Sequence, residues 1–264
     1  MIIEDGIEQK LSLLHRISNY LIESLSGLGI LCLLFGIWEI GTQFMGSFIL
    51  PSPLSVLERA LELLIYKDSA IGITLYRVFL TILFSFVFGA LLGILSGSFK
   101  TLARLFKPLM DICLGIPPIV WIVLALFWFG IGNVSVIFSV FIAIFPLSFA
   151  NTMLSIITLD KRLDEVCIVY RLNLYKRLKY FYIPHILPHL LNALSLVNAM
   201  GIKIMIMAEL LGASDGVGAK IADARSYLDT TEVLAYVVVM VGIILLFDLL
   251  VIKPLRIIFL PWQK

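Results

Sequence analysis

Six long apolar runs, at roughly 27–48, 77–98, 108–130, 134–157, 187–211 and 233–252, alternate along the chain with short segments that hold most of its charge. A helix that crosses the hydrocarbon core of a bilayer needs about 20 largely apolar residues. The pattern therefore predicts an all-α integral membrane protein with six transmembrane helices and both termini on one side. Between the first two runs, ILPSPLSVLERALELLIY predicts a shorter helix. Ser52 can cap it, and Pro53 fits its first position because the missing N–H would have no partner there. Leu54, Leu57, Leu61 and Leu64 recur at helical spacing opposite Glu58, Arg59 and Glu62, as expected of a helix lying along a surface.

Composition agrees with the runs. The chain is 61% hydrophobic and 14% charged, whereas soluble domains carry about 25% charged residues. A net charge of +2 gives no reason to expect a nucleic-acid partner, and in a membrane protein basic residues report orientation. With the N-terminus inside, the inner segments hold Lys10, Arg16, Lys100, Arg104, Lys107, the basic cluster of 161–179, Lys253, Arg256 and Lys264. The outer ones hold Arg59, Lys67, Lys220 and Arg225, with Arg77 at a border and Lys203 within a span. The three cysteines, Cys32, Cys113 and Cys167, stand apart in or beside apolar runs and read as small buried hydrophobes. Glu4, Asp5 and Glu8 replace the basic start of a signal peptide, so the first run is expected to stay in the membrane.

Three features interrupt the runs. Gly89, Gly93 and Gly97 form a small-residue ladder that admits a close neighbouring helix, within the bundle rather than as a dedicated dimer motif. Pro117, Pro118 and Pro146 each remove a backbone hydrogen bond that lipid cannot replace, a mark of either a transport path or ordinary kinked packing. Segment 158–186 alternates charged residues with Leu, Val, Ile, Tyr and Phe at helical spacing, which predicts short helices on the cytoplasmic face.

Residue order within that segment resembles the cytoplasmic loop of ATP-driven, binding-protein-dependent importer permeases, whose motif runs E-A-A, three residues, G, nine residues, I-x-L-P. Glu165-Val166-Cys167 takes the first block, Arg171 the glycine position and Phe181-Tyr182-Ile183-Pro184 the last. LPSP, GIPPIVWIVLALFWFGIG, AELLGASDGVG and DARSYLDT, in that order, look like the nitrate, sulfonate and taurine branch of the same permeases. The resemblance implies the type I ABC importer permease fold, with a cytoplasmic coupling helix that docks on an ATPase. It divides the chain into a cytoplasmic N-terminal segment, 1–26, a first transmembrane helix with a periplasmic amphipathic helix, 27–76, and a core permease domain, 77–264, with its coupling loop at 158–186. Glu165, Arg171, Leu172, Asn173, Leu174 and Tyr175 become the ATPase-coupling candidates. Because arginine adopts positive φ at a cost, the tight turn is expected to move from Arg171 to Asn173.

The resemblance further implies a bacterial inner-membrane location, a second permease copy, a cytoplasmic ABC ATPase dimer that binds ATP and Mg, and a periplasmic or lipid-anchored solute-binding protein. It implies no cofactor and no catalytic residue in this chain. Translocation-path candidates are Pro117, Pro118 and the polar positions of the fifth run. At 100° per residue, Asn192, Ser195, Asn198, Lys203 and Glu209 fall within an arc of about 140°, a polar side expected to face the bundle interior. Lys203 stands where the sulfonate-like branch often carries a basic residue. It could line the path of an anionic solute or form an ion pair, with Glu209 or with another span.

GASDGVGAK at 212–220 fails the phosphate-loop spacing, since Ile221 stands where Ser or Thr is needed. His185 and His189 have metal-sharing spacing, but Pro184 and Pro188 are expected to disturb it. Two other classes remain to be weighed. An ion-coupled secondary transporter or channel would need internal repeats or intramembrane carboxylates for its ion. A membrane enzyme would need a convergent catalytic set, and Glu39, Asp111, Glu209 and Asp248 are scattered over four runs.

Overall fold

Two adjacent prolines break the third apolar run. Ile116 is extended, as a residue before proline tends to be, and its N–H makes the last bond of helix α4 (Lys100–Gly115), to Ile112 O at 3.2 Å. Pro118 then opens helix α5 (Pro118–Phe129), and the two helices are bent by 97°. Run 108–130 is therefore a bent pair and not one straight helix. Pro146 and Pro188, by contrast, lie inside continuous helices.

The computed structural model describes residues 3–4, 7–8, 29–30, 32–65 and 68–259. Most of the N-terminal segment 1–26, the start of the first run at 27–28, and Lys10, Arg16, Lys67 and Lys264 lie outside the described residues. Apart from a two-residue antiparallel pairing of Ile3–Glu4 with Ile7–Glu8, the ordered elements are helical. In chain order they are α1 (Cys32–Met45), α2 (Pro53–Ile65), α3 (Ser69–Ser98), α4, α5, α6 (Asn133–Ile157), α7 (Lys161–Val169), α8 (Leu174–Arg177), a π-turn Leu178–Tyr182, α9 (Ile183–Gly212), α10 (Val217–Ser226), α11 (Thr230–Phe247), a second π-turn Asp248–Ile252, and α12 (Lys253–Phe259). Among the described residues four helical stretches are long and apolar enough to cross a membrane: α3, α6, Tyr175–Gly212 and Thr230–Phe259. The bent pair α4/α5 makes a fifth if counted as one span.

The bundle is built on α6, which packs against α3 on one side and α9 on another. Glycine makes the first contact possible. A Cβ on Gly89 would stand 2.7 Å from Ser148 Cβ, one on Gly93 2.7 Å from Phe149 O, and one on Gly97 2.5 Å from Ile156 Cβ. The ladder thus lets α3 and α6 touch backbone to backbone. Val136, Val140, Ile144, Val197, Ile202, Met205 and Tyr236 fill the core around it.

Helix α2 forms where expected, with Ser55 N–H donating to Ser52 Oγ at 3.3 Å. Val56, Ala60 and Leu63 of this helix are buried, while Leu54, Leu57, Leu61 and Leu64 are exposed. The helix is tied to α11 by Arg59, which pairs with Glu232 at 3.2 Å and with Glu62 at 2.9 Å. Those bonds, the one to Glu62 first, hold the guanidinium proton more firmly than usual.

Candidate functional site

The coupling candidates occupy a helix–turn–helix between α6 and α9. Asp160 caps α7 by accepting from Arg162 N at 2.9 Å. At the other end of α7, Leu172 N donates to Cys167 O at 3.0 Å, the six-to-one bond of a Schellman motif, and Arg171 occupies the left-handed position with φ 49°. The turn therefore stays at Arg171, contrary to the expectation that it moves to Asn173. Asn173 caps α8 instead: Lys176 N donates to its Oδ1 at 3.0 Å, and Arg177 N to its carbonyl at 3.1 Å. Left-handed arginine costs about 1–2 kcal/mol, and the Schellman bond offsets part of it. Arg171→Gly is expected to raise stability by about 1 kcal/mol, read as a higher melting temperature of the purified protein. An unchanged or lower melting temperature would show that the turn is unstrained.

Glu165, Arg171, Asn173 and Tyr175 are exposed, Leu172 is half-buried, and Leu174 opens α8. Cys167 is buried beneath the turn. Lys179 Nζ sits 5.9 Å from the Tyr175 ring and 5.5 Å from that of Tyr180, cation–π contacts that brace the loop. Together these place a short capped helix on an exposed rim of aromatic and charged side chains.

The polar arc of α9 does not converge. Asn192 accepts from Arg256 Nη2 at 2.6 Å, and Ser195 donates to Asp248 Oδ1 at 3.1 Å. Asn198 is buried, facing α3 and α11. Lys203, expected to face the bundle interior, is instead exposed on the single chain. It belongs to a stripe with Leu196, Met200, Met207 and Leu211, which recur every three or four residues. Pro117 and Pro118 are exposed at the α4/α5 bend.

Glu209 has a different partner from the one considered for it. Its side chain is 0% exposed and pairs with Arg77, 3% exposed, at 2.8 Å. Arg77 also reaches Asp215 Oδ1 at 2.5 Å, the Asp215 carbonyl at 3.1 Å and Asn133 Oδ1 through Nε at 2.8 Å. The second Glu209 oxygen accepts from Thr74 Oγ1 at 2.7 Å and from Gly218 N at 3.1 Å, while Val217 N donates to Thr74 Oγ1 at 2.8 Å. The carboxylate thus sits at the N-terminus of α10, where the helix dipole favours negative charge. It leaves no room for a side chain at Gly216, whose φ is +93° and whose Cβ would stand 2.5 Å from Glu209 Oε1. The glycine-rich string resembling a phosphate loop therefore wraps the chain's own carboxylate.

Sequence reading missed Arg77 because it stands at the first position of run 77–98, which gave it the look of a border residue, although it lies eight residues after Ser69, where α3 starts. The signal available was an arginine and a glutamate in separate apolar runs, each needing a countercharge. The cluster joins the starts of α3, α6 and α10 to the end of α9, whereas the coupling loop joins the end of α6 to the start of α9. The two sites therefore lie at opposite ends of the bundle. His185 and His189 keep helical spacing because α9 runs through Pro188, with ring centroids 5.8 Å apart. Among the described residues no group of three or more His, Cys, Asp or Glu is placed to hold a metal ion.

Comparison with known proteins gives the same arrangement a family. Residues 85–252 match the model of the binding-protein-dependent transport system inner membrane component. The chain is 28% identical over 80% of its length, and 80% of the relative's, to the taurine transport system permease protein TauC of Escherichia coli. It is 27% identical to the nitrate import permease protein NrtB of Synechococcus elongatus, over 71% of this chain and 72% of the relative. The formylaminopyrimidine transport permease protein ThiX of Halalkalibacterium halodurans is also 27% identical, over 88% and 93%. A chain of the inward-facing MetNI methionine ABC transporter shares the fold, with a TM-score of 0.62 at 19% identity over 74% of this chain and 97% of that one. A multi-pass helical bundle, the coupling-loop spacing and a family match over more than half of the chain lead to one assignment: the protein belongs to the binding-protein-dependent transport system inner membrane components, the permease subunits of ABC importers.

Proposed function

We propose that this chain pairs with a second copy of itself, docks two cytoplasmic ABC ATPases through α8 and its flanking turn, and imports a small anionic solute handed over by a binding protein outside. The observation that carries this reading is the coupling loop. It is a four-residue helix capped by Asn173, held by a Schellman turn at Arg171 and exposed at Glu165, Asn173 and Tyr175, as a docking element must be. Six spans with both termini inside are part of the proposal, with α1 as the first and the bent pair α4/α5 as the third. The basic cluster of 161–179 then faces the cytoplasm, and the Arg77 cluster lies at the outer end.

ATP and Mg belong to the partner subunits in this reading. Their binding energy shifts the permease between inward- and outward-facing states by favouring one of them. If the exposed stripe of α9 meets its copy across a central path, Lys203 lies in that path and offers a positive charge to the solute. Relatives named for taurine and nitrate support an anion, and the one named for formylaminopyrimidine marks how far sequence identity is from selecting a solute.

Two measurements test the reading. A cysteine at Tyr175 should cross-link to a copurified ATPase with a short bifunctional reagent, whereas one at Ser214, at the opposite end of α9, should not. Labelling of the ATPase from Ser214 alone would reverse the orientation. Lys203→Met should reduce uptake of taurine or nitrate by about tenfold, the change expected from about 1.4 kcal/mol of lost charge-assisted binding, while basal ATP hydrolysis is retained. Normal uptake by Lys203→Met would remove that residue from the path.

A further inference from the structure

Between α3, α9 and α11 lies a partly open groove of about 540 Å³, a volume within the range of small-molecule sites. Val78, Ile82 and Phe86 of α3, Leu194 and Ile202 of α9, and Phe247 of α11 form its walls. One polar side chain faces it. Asn198 is only 4% exposed, and among the described residues its amide makes no hydrogen bond. Every other polar position of the α9 arc except exposed Lys203 has a partner: Asn192 has Arg256, Ser195 has Asp248 and Glu209 has Arg77.

An amide carries two donors and an acceptor, and leaving it unpaired in hydrocarbon is unfavourable. Water is a poor remedy, because a buried water needs two to four polar partners and the groove offers one. A phospholipid is a poor remedy as well. Asn198 lies midway along α9, which in a helix centred on a hydrocarbon core about 30 Å thick is about 15 Å from either edge, and head groups stay at those edges. An ionised ligand would find no countercharge on the walls.

We propose that this groove is a binding site for a neutral lipophile, largely hydrocarbon, that carries one hydroxyl or carbonyl group and pairs it with the Asn198 amide. A hydroxyl fits best, since it both donates and accepts. The site is separate from the exposed α9 stripe assigned above to the solute path and does not depend on the transport reading.

The test uses the full-length protein in lipid nanodiscs and dodecanol carrying a diazirine as the probe. Photolabel is expected on the segments around Phe86 and Ile202. It should fall about fivefold in Asn198→Leu, the change that one net hydrogen bond of about 1 kcal/mol gives, and be competed by dodecanol but not by dodecane. Leu83→Trp, which narrows the groove without touching the amide, should also lose label and covers the case in which Asn198→Leu fails to fold. Equal labelling of Asn198→Leu, or equal competition by dodecane, would overturn the proposal by reducing the site to ordinary lipid contact. So would spontaneous disulfide formation between native Cys32 and Asn198→Cys of another copy, because the groove would then be filled by helix α1.

Discussion

Replacing Arg77 with methionine is expected to cost about 3–5 kcal/mol, the usual penalty for stranding one half of a buried ion pair, and to abolish recovery of monodisperse protein. The side chain is 3% exposed and pairs with Glu209, which is 0% exposed, and with Asp215, which is half-exposed. Without it two carboxylates face one another at the junction of α3, α6, α9 and α10. Arg77→Lys should fail nearly as badly, because a single ammonium cannot reach Glu209, Asp215 and Asn133 together as the guanidinium fork does. The partners should rank differently from each other. Asp215→Asn, at 49% exposure, should cost under about 1 kcal/mol. Glu209→Gln should be costly, since the carboxylate also holds Thr74 and the Gly218 N–H. Fluorescence-detected size exclusion after graded heating separates these cases. Arg77→Met eluting and melting like the parent would show the cluster to be dispensable.

Leu172→Pro is expected to abolish ATP-driven uptake, by about tenfold or more, while leaving the protein inserted and its spans intact. Proline removes the N–H that donates to Cys167 O and disfavours the backbone conformation of the preceding residue, so both the bond and the left-handed Arg171 are lost. Loss of this capping bond, about 0.5–1.5 kcal/mol, together with the changed backbone at Arg171, is expected to unseat α8 from the end of α7. Leu172→Ala keeps the N–H and should transport normally. Charge reversal at exposed Glu165 should uncouple hydrolysis from uptake in the same way. Normal uptake and ATPase association by both Leu172→Pro and Glu165→Lys would remove the loop from the coupling role.

The long helices were readable from the chain because a span must be continuously apolar, and periodicity adds little to that requirement. Their contacts were less readable. Gly89, Gly93 and Gly97 announced a close approach, and α6 supplies it. The leucine stripe of α2 marked a surface helix but not its contact: Val56, Ala60 and Leu63 are the residues turned inward, and Leu54, Leu57, Leu61 and Leu64 stay exposed. In a bilayer a large exposed leucine carries little penalty, so the hydrophobic pattern loses the inside-outside information it holds in water.

The polar arc of α9 misled for a related reason. Angular position on one helix says which residues share a side, but not which neighbour stands opposite each. Asn192 and Ser195 find partners near the C-terminus, Glu209 finds Arg77 on α3, and Lys203 remains exposed. At the coupling loop the spacing was legible and the turn chemistry was not. A preference of about 1–2 kcal/mol against left-handed arginine is small beside the capping bonds on both sides of the turn, so the motif kept its geometry after losing its glycine.

ATP-dependent solute entry is the most direct test of the whole reading. The chain would be copurified with its ATPases, reconstituted into liposomes with the binding protein outside and ATP inside, and assayed with labelled taurine and nitrate. Accumulation of either anion that requires ATP and binding protein, and that is lost in Leu172→Pro while the complex stays assembled, is the expected result. Accumulation driven by an ion gradient without ATPase subunits would contradict it.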